Sequence, residues 1–176
     1  MKEVLVVTGS VRPNSVNSKI VPVVVELLEQ KDKKVTVADV ATLNLPFFDS
    51  PIPPNNPNFS VDDENVVNWT KMVDEADAVV LVTPEYNHTM SPIQLNAIDW
   101  IGKEWEGKPV ALVGYGWTSG GAQAHDTARE ALAVTLSAKV SDTQANLFFG
   151  KDITPDGGLI EEIEVRGKIA AAIDSL

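Results

Sequence analysis

A doubly wound α/β sandwich is the fold this sequence predicts, on three observations. Short runs rich in β-branched residues alternate with longer segments of helical periodicity. Three of those runs, Val4-Leu5-Val6-Val7, Ala78-Val79-Val80-Leu81-Val82 and Val110-Ala111-Leu112-Val113, are apolar without a break. Strands of a parallel sheet covered on both faces have that character. Each run ends in a loop of Gly, Ser, Pro or Asn that leads to a helix start, the signature of a βα unit.

Strands are expected at 3–8, 34–40, 77–83, 109–115 and 140–147, and helices near 18–30, 64–75, 92–102, 121–138 and 158–174. Periodicity alone leaves the first helix open, because Val21-Pro22-Val23-Val24-Val25 also reads as a strand. Proline is tolerated in a first helical turn, Glu26 to Glu29 are good helix formers, and two parallel strands need a crossover between them. Ser15, Asn17 or Ser18 is the expected N-cap. The third helix carries a capping box, with Ser91 at N-cap, Pro92 at N1 and Gln94 at N3. Its apolar face is Ile93, Ala97, Trp100 and Ile101, and Gly102 is a natural stop. The fourth aligns Ala124, Ala128, Ala131 and Leu132. The last is expected to bury Ile160, Ile163, Gly167, Ala170 and Ile173.

Residues 45–59 hold five of the eleven prolines, and a connector of that length is uncommon inside a compact domain. Phe47 and Phe48 point to a pocket wall or a subunit contact. No repeat or second domain interrupts the pattern, so residues 1–176 read as one domain. Five βα units of this size suit a flavodoxin-like three-layer sandwich, with a five-stranded parallel sheet of order 2-1-3-4-5.

Composition narrows the chemistry. The chain has no cysteine, which excludes disulfides, thiolate catalysis, cysteine-ligated zinc and iron–sulfur clusters, and points to a reducing compartment. With only His88 and His125, a histidine-built metal site is not expected. Fourteen basic and 25 acidic residues give a net charge of −11, without the basic stripe that nucleic acid needs. Lys31-Asp32-Lys33-Lys34 is the densest basic cluster and reads as a solvated helix end. Met1-Lys2-Glu3 runs straight into a strand too short for an export signal, and no apolar run approaches membrane-spanning length. A cytoplasmic protein without membrane or nucleic-acid partners is the expectation.

Ligands of open α/β sheets collect at the carboxyl ends of the strands. Three loops are placed there. Gly9 to Ser18 offers a glycine, the hydroxyls of Ser10, Ser15 and Ser18, the amide of Asn17 and the guanidinium of Arg12, ahead of a helix. Backbone N–H groups, short polar side chains and one cation are what a phosphate monoester needs. Taken singly, Ser15, Asn17 and Ser18 are ordinary caps. The loop matches neither the Walker P-loop nor the three-glycine dinucleotide fingerprint. Pro84-Glu85-Tyr86-Asn87 offers a rigid turn, a carboxylate, an aromatic face and an amide. Ser119-Gly120-Gly121, after Trp117, is a turn that exposes backbone. His88 reads as a surface histidine beside a helix start, not as a proton donor. The three loops together suit one planar, phosphorylated ligand.

Three motifs in this order and spacing resemble the NADPH-dependent FMN reductase family, flavodoxin-like proteins that include quinone, azo-dye and chromate reductases. They are Gly9-Ser10-Val11-Arg12 with Ser15 and Asn17, then Pro84-Glu85-Tyr86-Asn87-His88, then Asn96-Ala97-Ile98-Asp99-Trp100, with Gly120-Gly121 as a weaker fourth. The resemblance implies one FMN per subunit, its phosphate among Ser10, Arg12, Ser15, Asn17 and Ser18. The isoalloxazine would be bordered by Pro84 to Asn87, with Ser119 to Gly121 on its pyrimidine side. It further implies NADPH or NADH as co-substrate, a small-molecule acceptor, a homodimer or homotetramer, no metal and no catalytic protein acid or base. Asn96 to Trp100 reads as helix packing or interface. The chain departs from the family's pattern in places: Ser91-Pro92 stands where Pro-Gly is common, Gln94-Leu95 where Leu-Lys is common, and Trp117 where the residue is usually small. A flavodoxin-type electron carrier shares the fold, but its phosphate loop lacks an arginine such as Arg12.

Overall fold

The computed structural model describes residues 2–176. Its sheet is parallel throughout, in the order β2-β1-β3-β4-β5, with β6 also paired to β4. The strands are β1 (Glu3–Thr8), β2 (Lys34–Ala38), β3 (Ala78–Pro84), β4 (Pro109–Gly116), β5 (Lys139–Val140) and β6 (Ala145–Phe148). The helices are α1 (Asn17–Glu29), α2 (Glu64–Glu75), α3 (Pro92–Asp99), α4 (Ala122–Arg129) and α5 (Glu162–Ile173).

The pleat of β1 sorts the core into two halves. Leu5 and Val7 face α2, α3 and α4, packing with Trp69, Ile98, Leu112 and Leu132. Val4 and Val6 face α1 and α5, packing with Ile20, Val24, Val165 and Ile169. Both faces of the central strands are therefore dry, which is why their sequences show no polar alternation.

The expected fifth strand is two. β5 pairs with Pro109 and Val110, and β6 pairs with Val113 to Gly116, on the same edge of β4. Between them the Arg129 guanidinium donates to the Ser141 carbonyl at 2.8 Å and to the Val140 carbonyl at 3.4 Å, anchoring the chain where β5 ends. The five-position order is as expected, with its last position shared.

Helix ends and faces also differ from expectation. The fourth helix stops at Arg129 and widens into a π turn over Glu130–Thr135, where β-branched Val134 and Thr135 disfavour regular helix. In α5 the buried stripe is Val165, Ile169, Ala172 and Ile173, while Ile163 is 91% exposed and Ile160 also faces outward. Two stripes of helical spacing overlap there, and the one with more bulk went inside. None of Ser15, Asn17 and Ser18 is the N-cap of α1. That place falls to Val16: Ser15 Oγ accepts from the Asn17 N–H from one residue further out, while the Asn17 amide reaches Tyr115 and Ser18 Oγ the Ser15 carbonyl. Ser91 caps α3 through the Gln94 N–H as expected, but Gln94 does not close the box. Its buried amide reaches Thr83 Oγ1 and the Val7 and Thr8 carbonyls instead, tying α3 to β1 and β3.

The proline-rich loop is pinned by the third motif. Asn96 accepts from the Phe48 N–H and donates to the Pro46 carbonyl, both at 2.9 Å, and Trp100 Nε1 reaches that carbonyl at 2.7 Å. Phe48 sets its ring edge-on to Trp100 at 4.9 Å, while Phe47 is exposed. Gly102 admits the loop. A Cβ there would lie 2.5 Å from the Pro54 backbone.

Candidate functional site

The carboxyl ends of β1, β3 and β4 open on one rim, and glycines let them approach. A Cβ on Gly9 would lie 2.5 Å from Pro84 Cδ and 2.6 Å from the Val82 carbonyl, so the first loop leaves β1 hard against the end of β3. Two side-chain bonds then join the loops. Ser10 Oγ and Tyr86 OH lie 2.7 Å apart. Asn17 is buried, accepts from the Gly9 N–H at 2.6 Å and donates to Tyr115 OH at 2.7 Å.

In the first loop Ser15 Oγ lies 3.4 Å from Tyr115 OH, and Ser18 Oγ donates to the Ser15 carbonyl. Among the described residues no acceptor takes the backbone N–H of Val11, Asn14 or Val16. Arg12 is exposed and holds its guanidinium 5.9 Å from the centre of the Tyr86 ring. The loop thus presents spare N–H donors, hydroxyls and a cation at one place, the donor set of a phosphate monoester.

The second loop leaves β3 through the Glu85 N–H, which donates to the Tyr115 carbonyl at 2.9 Å. Tyr86 and Thr89 exchange backbone bonds around Asn87 and His88, whose φ values are +49° and +63°. Two left-handed residues in a row make a tight type I′-like turn, a conformation that Asn and His tolerate better than most. Asn87 and His88 are exposed at its tip. The Glu85 side chain is only 5% exposed and accepts from Ser119 Oγ, which clasps the second loop to the third.

In the third loop Gly120 and Gly121 have φ of +64° and +98°. A Cβ on Gly121 would fall 2.6 Å from the Gly114 backbone, and one on Gly120 would fall 2.8 Å from the Phe148 ring. These glycines are buried against the sheet and set the height of the loop.

Between the loops lies a cavity of about 290 Å³. Arg12 and Ser15 line it from the first loop, Pro84, Glu85 and Tyr86 from the second. Tyr115, Gly116, Trp117 and Phe149 complete it. Ser10, Asn17 and Ser18 border a groove on the other side of Arg12, and Ser119, Gly120 and Gly121 support the wall without lining it. Sequence reasoning missed Tyr115 and Phe149. Burial pushes the Tyr115 phenol up to about 12, so it stays a neutral hydrogen-bonding group. Its ring meets Phe149 edge-on at 6.0 Å, and Phe149 packs against Trp117 at 4.9 Å with a 31° tilt. The signal for Tyr115 was present: it is the one hydroxyl-bearing residue of β4, one residue before its carboxyl end. The arrangement offers an anion seat at one end and flat apolar walls at the other. Among the described residues no group of His, Asp and Glu forms a metal cluster.

The family model described as NADPH-dependent FMN reductase matches residues 2–151. An NAD(P)H-dependent FMN reductase of a Nectria species is 31% identical over 174 residues, covering 92% of this chain and 85% of its own length. A quinone reductase of Pseudomonas putida is 33% identical over 119 residues, 62% of this chain and 58% of its own. Among solved structures, the flavoenzyme NAD(P)H:(acceptor) oxidoreductase of Paracoccus denitrificans superimposes with a TM-score of 0.75 and 26% identity, covering 99% of this chain and 96% of that one.

Proposed function

The chain belongs to the NADPH-dependent FMN reductase family, NAD(P)H-dependent oxidoreductases with FMN as prosthetic group, and from that premise we propose that it reduces a quinone, azo compound, free flavin or similar small acceptor at the rim cavity. The observation that carries the reading is the pair of bonds Ser10–Tyr86 and Asn17–Tyr115, which draws an anion-binding loop and a ring-sized cavity into one site.

FMN, when bound, would supply the two-electron chemistry, taking hydride from nicotinamide C4 at its N5 and giving the electrons to the acceptor. The residues hold, orient and screen. Arg12, Ser10, Ser15, Asn17 and Ser18, with the spare N–H groups of their loop, hold the phosphate. Pro84, Glu85, Tyr86 and Asn87 border the ring system, and Ser119, Gly120 and Gly121 fix the height of its pyrimidine side. Trp117, 67% exposed at the mouth, governs the approach of the second substrate. No side chain is assigned as proton donor or acceptor.

Nicotinamide and acceptor use the same exposed face in turn, so the reaction is ping-pong. Initial-rate measurements with NADPH and a benzoquinone test this: parallel double-reciprocal lines are expected, and converging lines would contradict a shared face. The absence of cysteine and the lack, among the described residues, of any helix long and apolar enough to cross a membrane accord with a cytoplasmic enzyme. Exposed Phe47 beside the pinned proline-rich loop suits a contact in a homodimer or homotetramer.

A further inference from the structure

A second depression lies beside the first. A groove of about 570 Å³ shares the segment Arg12 to Ser15 with the rim cavity and continues over the carboxyl ends of β1 and β2. Its apolar wall is Val11 of the phosphate loop together with Val21, Pro22, Val37 and Ala41. Val11 and Val37 are 53% and 45% exposed, two large apolar side chains left to solvent in one groove. Among the described residues the only charged ones lining it are Arg12 and Asp39.

Asp39 is held in place. Its Oδ1 accepts from Thr8 Oγ1 and from the Ala41 N–H, both at 3.0 Å, and Thr8 Oγ1 accepts from the Val40 N–H at 3.0 Å. The second carboxylate oxygen has no protein partner among the described residues. A branched apolar slot accepts a flat heteroaromatic base, and a fixed carboxylate beside it accepts the two hydroxyls of a ribose. An acidic residue placed after a strand reads the ribose of NAD in the same way in doubly wound dinucleotide domains.

We propose that this groove seats the adenosine end of the reduced nicotinamide co-substrate, with Asp39 on the ribose diol, and that Asp39 selects NADH over NADPH. The proposal rests on the reductase reading, which places the nicotinamide over the adjoining cavity. A 2′-phosphate at this position would set its charge against the carboxylate, and Arg12, the one cation lining the groove among the described residues, already serves the flavin phosphate.

Calorimetric titration of the FMN-loaded protein with ADP and with 2′-phosphoadenosine 5′-diphosphate, which differ only in the 2′-phosphate, tests the groove without turnover. ADP should bind more tightly than its 2′-phosphorylated form by up to about fivefold, the scale of one unfavourable charge contact at the surface. Asp39→Asn should abolish or reverse that preference, and the ratio of kcat/KM for NADH and NADPH should move the same way. Val37→Glu, in the apolar lining of the same groove, should weaken both nucleotides. Retained FMN certifies that each variant is folded. Equal binding of the two nucleotides in wild type, or no response to Asp39→Asn, would overturn the proposal. Protein that keeps FMN and oxidises NADH but binds no ADP refutes the groove alone, whereas protein that takes up no FMN refutes the reductase reading with it.

Discussion

The side-chain amide of Asn17 is the bolt between β1 and β4: its oxygen takes the Gly9 N–H at 2.6 Å and its nitrogen gives a hydrogen bond to Tyr115 OH at 2.7 Å, in a residue only 4% exposed. Both partners are deprived at once when the amide is removed. Asn17→Ala should therefore cost about 1–3 kcal/mol of stability, read from urea denaturation. FMN affinity should fall with it, because the phosphate loop loses its anchor. Tyr115→Phe should reproduce a smaller part of the effect, about 1 kcal/mol.

Arg12 is exposed, so its removal separates binding from folding. Arg12→Ala should weaken FMN binding by about 1.5–3 kcal/mol, the worth of a hydrogen bond to a charged group. Urea denaturation of the apoprotein should shift by less than about 0.5 kcal/mol, as surface substitutions do. Fluorescence titration with FMN measures the first, and unchanged affinity would remove Arg12 from the site.

Trp117 packs on Phe149 at the mouth of the cavity rather than beside the first loop. Trp117→Ala should change the kcat/KM ranking of bulky against small acceptors while FMN retention stays near wild type. An identical acceptor profile would count against a role at the rim.

His125 is fully buried on α4, and both ring nitrogens and Asn146 Oδ1 lack partners among the described residues. Burial lowers its pKa from 6.5 to about 4, so the folded protein holds it neutral. Between those values the unfolded chain binds the proton and the folded chain does not, so stability rises with pH. The contribution is complete above about pH 6.5 and is lost as pH falls toward 4. It is on the order of 3 kcal/mol. His125→Leu should flatten the pH dependence of stability over that window, and a slope identical to wild type would contradict it.

Much of this architecture was legible because it depends on local chemistry. Unbroken apolar runs announced the buried parallel strands, and Ser91-Pro92 announced the start of α3. The first and second loops could be named because glycine, proline and hydroxyl residues follow strands there. What stayed hidden was set by partners distant in sequence. Asn17 carries the composition of a cap, yet its amide serves Tyr115, 98 residues away. Gln94 has the spacing of a capping box but is drawn into a buried network with β1 and β3. The two stripes of α5 overlap in spacing, and the bulkier one, Val165, Ile169, Ala172 and Ile173, is the one the core buries. Phe149 lay beyond the last strand expected, just past β6, which pairs with the carboxyl-terminal half of β4 far away in sequence.

The most direct test of the account is the visible spectrum of the purified protein with FMN added and excess removed, recorded before and after anaerobic NADPH or NADH. The account predicts a yellow protein carrying one FMN per chain, whose flavin band bleaches on addition of the nicotinamide and returns when a quinone is supplied. A folded protein that stays colourless, or one whose flavin neither nucleotide bleaches, would contradict it.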